Sequence, residues 1–455
     1  MNKRIIGIDL AVTATHKAVV FDTLKDEFVS NPLTFRANPA ELERLWKRTM
    51  KDASPQTKVV VILEATHMSW YPVGMFFHLK GATVYRVNGQ KTKDLRTVHH
   101  KHAGSDRIDC RVLVNLYRTL GDKLRPWHPE TGSQLALQRA CRRYAMWREL
   151  DVAHQNRLLA LDQWAWGGLH KVVPTTARTW MRRCWYNPWR VVEAGTTYLT
   201  ARWHAVAPGK EDDWIAGWVT RAQQRTHLYQ SQQWAGFDHL QVDVTELLDE
   251  RDFFLQKCVA ISQSSVLPLY HSLYPNDPLP SIYGVGDNSA AIYHAFIHNI
   301  DRFPKVASFR RWTGLVPGSH QSGDHQAKGV PITQAGPALV RATLYLNANV
   351  ARQWDVQLAD IYYRQMVHYG KHHTQAVCAV ASHLANRIYV LLKEQRLFEL
   401  RGLDGNPISP EDSRHLCLTR FRVPDAVRQR SAVRTRRRKR EDSTEKRYRR
   451  KQLRR

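Results

Sequence analysis

VVVILE, at residues 59–64, is an unbroken apolar run that ends on a carboxylate. A strand with one wet face would alternate apolar and polar residues. An unbroken run therefore reads as a strand covered on both faces. Working outward, IIGI at 5–8 is a second short strand, followed directly by Asp9, and AVVF at 18–21 is a third. Ala82 to Val87 is a fourth. Between them, Pro39 to Met50 places Leu42, Leu45 and Trp46 at helical spacing. Strands that alternate with helical stretches predict an α/β sheet over residues 1–125.

The whole chain has 455 residues, enough for about three domains. At 43% hydrophobic and 24% charged it is neither disordered nor fibrous over most of its length. Its net charge of +27 argues for a polyanionic partner. No apolar run reaches 18 residues, so no membrane span is expected. The N-terminus turns polar after Leu10, too soon for a secretory leader. The six cysteines (110, 141, 184, 258, 378 and 417) lie far apart without a CxxC. That spacing speaks against a zinc finger or a disulfide scaffold and suits a reducing cytoplasm.

Ser133 to about Trp164 reads as one long helix, with an imperfect heptad through Leu137, Cys141, Tyr144, Leu158 and Leu161. Residues 165–240 are dense in tryptophan (166, 180, 185, 189, 203, 214, 218 and 234, with Trp164 just before them) and in arginine. One reading is a small helical unit with a Trp-rich core; the other is a stacking and cationic surface for nucleic acid. Leu247 to Leu269 reads as a helix, stopped by the PNDP stretch at 275–278. The expected division is an α/β domain at 1–125 and a helical spacer at 126–275. A mostly helical domain follows at 276–403, then a basic tail, disordered when alone, at 404–455. Residues 428–455 hold fifteen Lys and Arg against three acids, Arg436, Arg437 and Arg438 among them, and are expected to contact nucleic acid.

Asp9 and Glu64 each follow a strand directly; if the strands are neighbours, both carboxylates emerge at one sheet edge. Asp106 and Asp109 stand three apart at the start of a helical stretch, on one face. Taken singly, each has a plain structural explanation, as a cap or a dipole-stabilising acid. Four converging carboxylates repel unless a cation neutralises them, and hard oxygen donors select Mg²⁺ or Mn²⁺. A pair of such ions can clamp the oxygens of a phosphodiester.

A second constellation lies further on. The GVG turn at 284–286 opens a helix, so Gly284 and Gly286 are candidates for backbone contact to a phosphate, with an ordinary helix turn as the equal alternative. WTGLVPGSHQSG ends at Gly323, in a polar loop with His320, His325 and Lys328 nearby and Arg341 beyond. A serine attacks phosphorus only when its proton is removed and the developing charge is stabilised. By spacing alone Ser322 is no better than Ser319 or Ser308, and a turn serine is the simpler reading.

Taken in order, GIDLA, LEAT, KHAGSDRIDCRVL, IYGVG, RFP, WTGLVPGSHQSG and the distal Gly336-x-x-x-x-Arg341 resemble the DEDD transposases of the bacterial insertion-sequence 110 family. The resemblance covers about 1–125 and 281–350. It implies a RuvC-like domain of RNase H-like fold in which Asp9, Glu64, Asp106 and Asp109 bind Mg²⁺. It implies that Ser322 is the nucleophile, that DNA is cut through a 5′-phosphoserine link, and that serine and carboxylates combine across protomers. His320, Lys328 and Arg341 would face nucleic acid. A bridge RNA pairing with donor and target DNA, a dimerising coiled coil at 133–164, and a homodimer or tetramer built from dimers complete what it implies, in a cytoplasmic, nucleoid-associated setting. The alternative is a RuvC-like structure-specific endonuclease acting by two-metal hydrolysis, which needs the carboxylates but not Ser322. Gln334 stands where the family commonly has a basic residue.

Overall fold

The computed structural model describes residues 2–29, 31–64, 68–87, 106–232, 236–318, 321–322, 325–326 and 330–432. The chain divides into two compact units, Met1–Glu130 and Thr131–Arg455.

In the first unit, β1 (Lys3–Asp9), β2 (His16–Asp22), β3 (Glu27–Phe28), β4 (Leu33–Phe35), β5 (Lys58–Glu64) and β6 (Thr83–Val87) form one sheet. Its order is β3-β2-β1-β5-β6, with β4 also on β2. β2 runs antiparallel to β1, whereas β5 and β6 run parallel to it. Helices α1 (Pro39–Met50) and α2 (Trp70–Leu79) bury one face, over Ile6, Ile8, Val61 and Leu63. Helix α3 (Asp106–Leu120) buries the other, over Ile5, Val60 and Ile62. Successive residues of β5 thus point into two different cores, which is why the run does not alternate. Each such side chain contributes roughly 1.5–3 kcal/mol on burial. Asn38 starts α1 by accepting from the Glu41 amide at 2.9 Å, and the Glu41 carboxylate reaches back to the Arg36 amide at 2.8 Å.

Asp22 shows what a strand-end acid does when it is structural. Its carboxylate accepts from the amide of Leu24 at 2.8 Å and pairs with Arg4 at 2.8 Å, both side chains almost wholly buried. Asp22→Ala leaves the Arg4 charge buried without its partner. The expected loss is about 3–5 kcal/mol of stability in urea unfolding. A loss below about 1 kcal/mol would mean that Arg4 escapes to water.

In the second unit, α4 (Gly132–Trp166) starts at Thr131, whose hydroxyl accepts from the Gln134 amide, and stops at Gly167 in the left-handed region. It packs antiparallel along α8 (Phe237–Ile261) of the same chain. Asp151 accepts from Arg251 at 2.9 Å, His154 meets Glu250 at 2.6 Å, and Trp147 stacks on Phe254. Between these two helices lie α5 (Arg178–Cys184), α6 (Pro188–Val206) and α7 (Trp214–Tyr229). Trp166, Trp203 and Trp218 are buried among them, and Trp180, Trp185, Trp189 and Trp214 pack around that centre. Most of the tryptophans therefore build a core, while Trp164 is half exposed. Trp234 lies outside the described residues.

Helix α8 begins ten residues before the stretch expected from sequence, and the chain stays helical through a π turn (Ser262–Val266) into α9 (Leu267–Leu273). Pro268 has no N–H to give, and the widened turn absorbs the break. Then follow α10 (Asp287–Ile297), α11 (Val306–Thr313), α12 (Ala338–Ala351), α13 (Val356–Tyr363) and α14 (His373–Glu394) around one apolar core. Gln134 ties α4 to this bundle by donating to the His294 carbonyl at 2.9 Å.

Residues 404–432 depart from the expected disordered tail. They carry α15 (Pro410–Leu418), and Cys417 and Phe421 pack on Val356 and Ala359, while Val423 joins the main core. Enough apolar side chains precede the basic block to hold this part of the chain down. Arg436, Arg437 and Arg438 lie outside the described residues. All six cysteines are free thiols, and among the described residues no helix is long and apolar enough to cross a membrane.

Candidate active site

The parallel register of β1 on β5 runs to Ile8 opposite Leu63, so Asp9 and Glu64 are the next two residues along and leave the sheet at one edge. They also share a face. Gly7 and Ile62 point to the α3 side, and Asp9 and Glu64 lie two residues further on. Both are half-buried. Lys17 stands opposite Asp9 in the β1–β2 register.

The start of α3 is pinned to the same edge by a close approach at Gly7. A Cβ there would lie 2.2 Å from the Cys110 carbonyl oxygen and 2.9 Å from Val114 Cγ2. The Cys110 thiol in turn donates to the Lys17 carbonyl at 3.2 Å. Asp109, next to Cys110, is thereby held beside the strand end that carries Asp9. Asp106 opens the helix one turn earlier; its side chain lies outside the described residues. Gly7→Ala has no room unless α3 moves, so it is expected to cost about 1–3 kcal/mol or more in thermal or urea unfolding. Unchanged stability would mean that the helix shifts freely.

His16 was not singled out by the sequence. Its Nδ1 accepts from the Ala11 amide at 3.2 Å and its ring lies edge-on to Phe35, fixing the turn that leaves Asp9. Burial holds its pKa below the usual histidine range. A neutral ring accepting at Nδ1 keeps its proton on Nε2.

Among the described residues, no group of three His, Cys, Asp or Glu side chains stands close enough to hold one ion. The donor chemistry nonetheless fits a hard divalent cation, because Asp9, Glu64 and Asp109 offer only carboxylate oxygens from three elements at one edge.

The serine region is a hairpin. After Gly314 the chain runs out and returns, with Gly318 donating to the Pro331 carbonyl at 2.9 Å, Thr333 to Val316 at 2.9 Å and Gln334 to Gly314 at 3.1 Å. At the far end, β7 (Gln321–Ser322) pairs with β8 (His325–Gln326), which sets Ser322 opposite His325. The base of the hairpin is locked by close backbone contact: a Cβ on Gly336 would meet the Trp312 carbonyl at 2.0 Å, and its φ of 67° is in the left-handed region. Gln334 also has positive φ, at 52°. Arg341 is drawn to this base, Nη1 donating to the Gln334 carbonyl at 3.3 Å. It braces the loop, a role the sequence did not suggest. Gly284, with φ 88°, lies against the backbone of α12, 2.8 Å from Cβ position to the Ala351 nitrogen, so packing accounts for it; Gly286 has open space around it. His320 and Lys328 lie outside the described residues, as do the side chains of residues 321–329.

Comparison with known proteins gives two family matches. A model for DEDD transposases of IS110, described as Transposase, matches residues 6–163. A second, described as Transposase IS116/IS110/IS902 family, matches residues 276–364. A curated relative, the "Insertion element IS110 uncharacterized 43.6 kDa protein" of Streptomyces coelicolor, is 27% identical over 140 residues, 31% of this chain and 34% of the relative. The chain thus spans about a third of the length of that relative.

Proposed function

Because the chain belongs to the IS110 family of DEDD transposases, we propose that it cuts and rejoins DNA as the recombinase of an insertion sequence. What supports this is the presence of two separate constellations in one chain: Asp9 and Glu64 at the ends of neighbouring strands, with Asp109 on the helix packed at Gly7, and a serine in a braced hairpin. The strand order β3-β2-β1-β5-β6, antiparallel on one side and parallel on the other, supports an RNase H-like reading of the first unit.

In this reading Asp9, Glu64, Asp106 and Asp109 hold Mg²⁺, or Mn²⁺ in its place. The metal supplies charge neutralisation at the scissile phosphate. The Ser322 hydroxyl oxygen attacks phosphorus, its proton leaving to a base; His325, opposite it in the hairpin register, is of the right type. The bond from phosphorus to the 3′ oxygen breaks, that oxygen takes up a proton, and a 5′-phosphoserine forms. A 3′-hydroxyl of the partner strand then attacks the ester and releases the serine. One phosphoester is exchanged for another at each step, so no nucleotide hydrolysis is needed. Serine and carboxylates combine across protomers of a dimer or tetramer, and a bridge RNA selects donor and target DNA while the protein reads backbone and shape.

The test is an incubation of the whole protein, its co-purifying RNA and Mg²⁺ with end-labelled DNA carrying the element's ends. An SDS-resistant protein–DNA adduct is expected. Free 5′-phosphate ends with no adduct would instead make it a hydrolytic, structure-specific endonuclease.

A further inference from the structure

The last helices of the second unit close around a cavity of about 920 Å³ that, among the described residues, no carboxylate lines. Arg352, at the end of α12, reaches it from beneath. Its Nε and Nη2 donate to the Asn349 side-chain oxygen at 3.0 and 2.8 Å, and its guanidinium lies 4.0 Å over the Tyr362 ring. Arg422 and Arg428 come from the opposite rim, on the segment that follows α15. His373, at the start of α14, bonds through Nδ1 to the Tyr362 hydroxyl at 2.8 Å, and its amide donates to Ser431 at 2.8 Å. Among the described residues, none of the three arginines is paired with an acid.

The cost of this arrangement falls on Arg352, since Arg422 and Arg428 are exposed. Burial, with Arg428 adding to it, weakens the hold of Arg352 on its proton. Burial first, then Arg352, His372 and Arg428, holds the His373 pKa below the usual range. Cations facing one another over a partly apolar floor are relieved by an anion. Guanidinium forks match phosphate oxygens. Phe421, with Met366 near it, supplies an apolar part of the lining against which a base can pack. The volume is in the range of small-ligand sites.

We propose that this cavity binds a nucleoside phosphate, its phosphate against Arg352 and Arg428 and its base against Phe421. The site requires nothing of the carboxylate edge or of Ser322, so it stands or falls separately from the recombinase reading. The same chemistry arrives as a free nucleotide or as the phosphorylated end of a strand.

The test is equilibrium dialysis of the full chain with labelled adenosine 5′-monophosphate, alongside adenosine and inorganic phosphate. Arg352→Gln and Arg428→Gln are each expected to weaken nucleotide binding about ten- to a hundredfold. Adenosine and inorganic phosphate should each bind more weakly than the nucleotide. Arg428 is exposed, so its variant reports on the site even if Arg352→Gln fails to fold. Displacement of the nucleotide by a 5′-phosphorylated but not an unphosphorylated DNA oligonucleotide supports the site with a strand end as source. Displacement by neither supports it with a free nucleotide as source. Nucleotide affinity unchanged in Arg428→Gln, or adenosine binding as tightly as the nucleotide, overturns the proposal.

Discussion

Asp9→Asn is expected to lower DNA strand cleavage at least about a thousandfold in Mg²⁺, the scale on which losing a group that acts on the transition state is felt. The substitution keeps the shape of the side chain and removes one negative charge and one good cation donor. The site is the last residue of β1, half-buried, so the apolar layers of the sheet are untouched and the melting temperature should stay within a few degrees. Cleavage of labelled DNA, read against that thermal control, separates chemistry from folding. Retained cleavage would remove the carboxylate edge from the mechanism.

Ser322→Ala is expected to abolish the covalent protein–DNA adduct while leaving noncovalent DNA binding unchanged. Only one oxygen is lost, at the tip of a hairpin whose arms are joined by backbone hydrogen bonds, so the loop retains its reason to form. The readout is the SDS-resistant band, with a mobility-shift assay as the control. An adduct that survives moves the nucleophile elsewhere. Cleavage that survives without an adduct, leaving free 5′-phosphates, identifies water as the attacking group, and the carboxylates then act alone.

The α/β character of the first unit was legible because a strand buried on both faces leaves an unmistakable apolar run. Which strands are neighbours is a different kind of information. Asp9 and Asp22 both end strands, and nothing local separates them. Only pairing across the sheet gives Asp22 to Arg4 and leads Asp9 out beside Glu64. The same holds for the glycines: Gly7 and Gly336 are explained by backbones that approach from distant parts of the chain. The carbonyls that Arg341 serves stand only five to seven residues before it, but nothing local says that the chain folds back to bring them within reach. Residues 404–432 were merged with the basic block after them, although Cys417, Phe421 and Val423 supplied something to bury. The first turns of α8 were legible too: Phe237, Leu240, Val244 and Leu248 stand at helical spacing and are buried together, a stripe that extends the helix ten residues before Leu247.

Since α4 leads away from the bundle and α8 leads back alongside it, the chain enters and leaves the tryptophan-filled cap at nearly the same place. Such a two-legged stem tolerates change in length: paired turns can be added or removed from both legs together, resetting the reach of the cap while the base stays as it is. The length of the cap's stem is thus set by two helices that must lengthen together, and the bundle at their base does not depend on it.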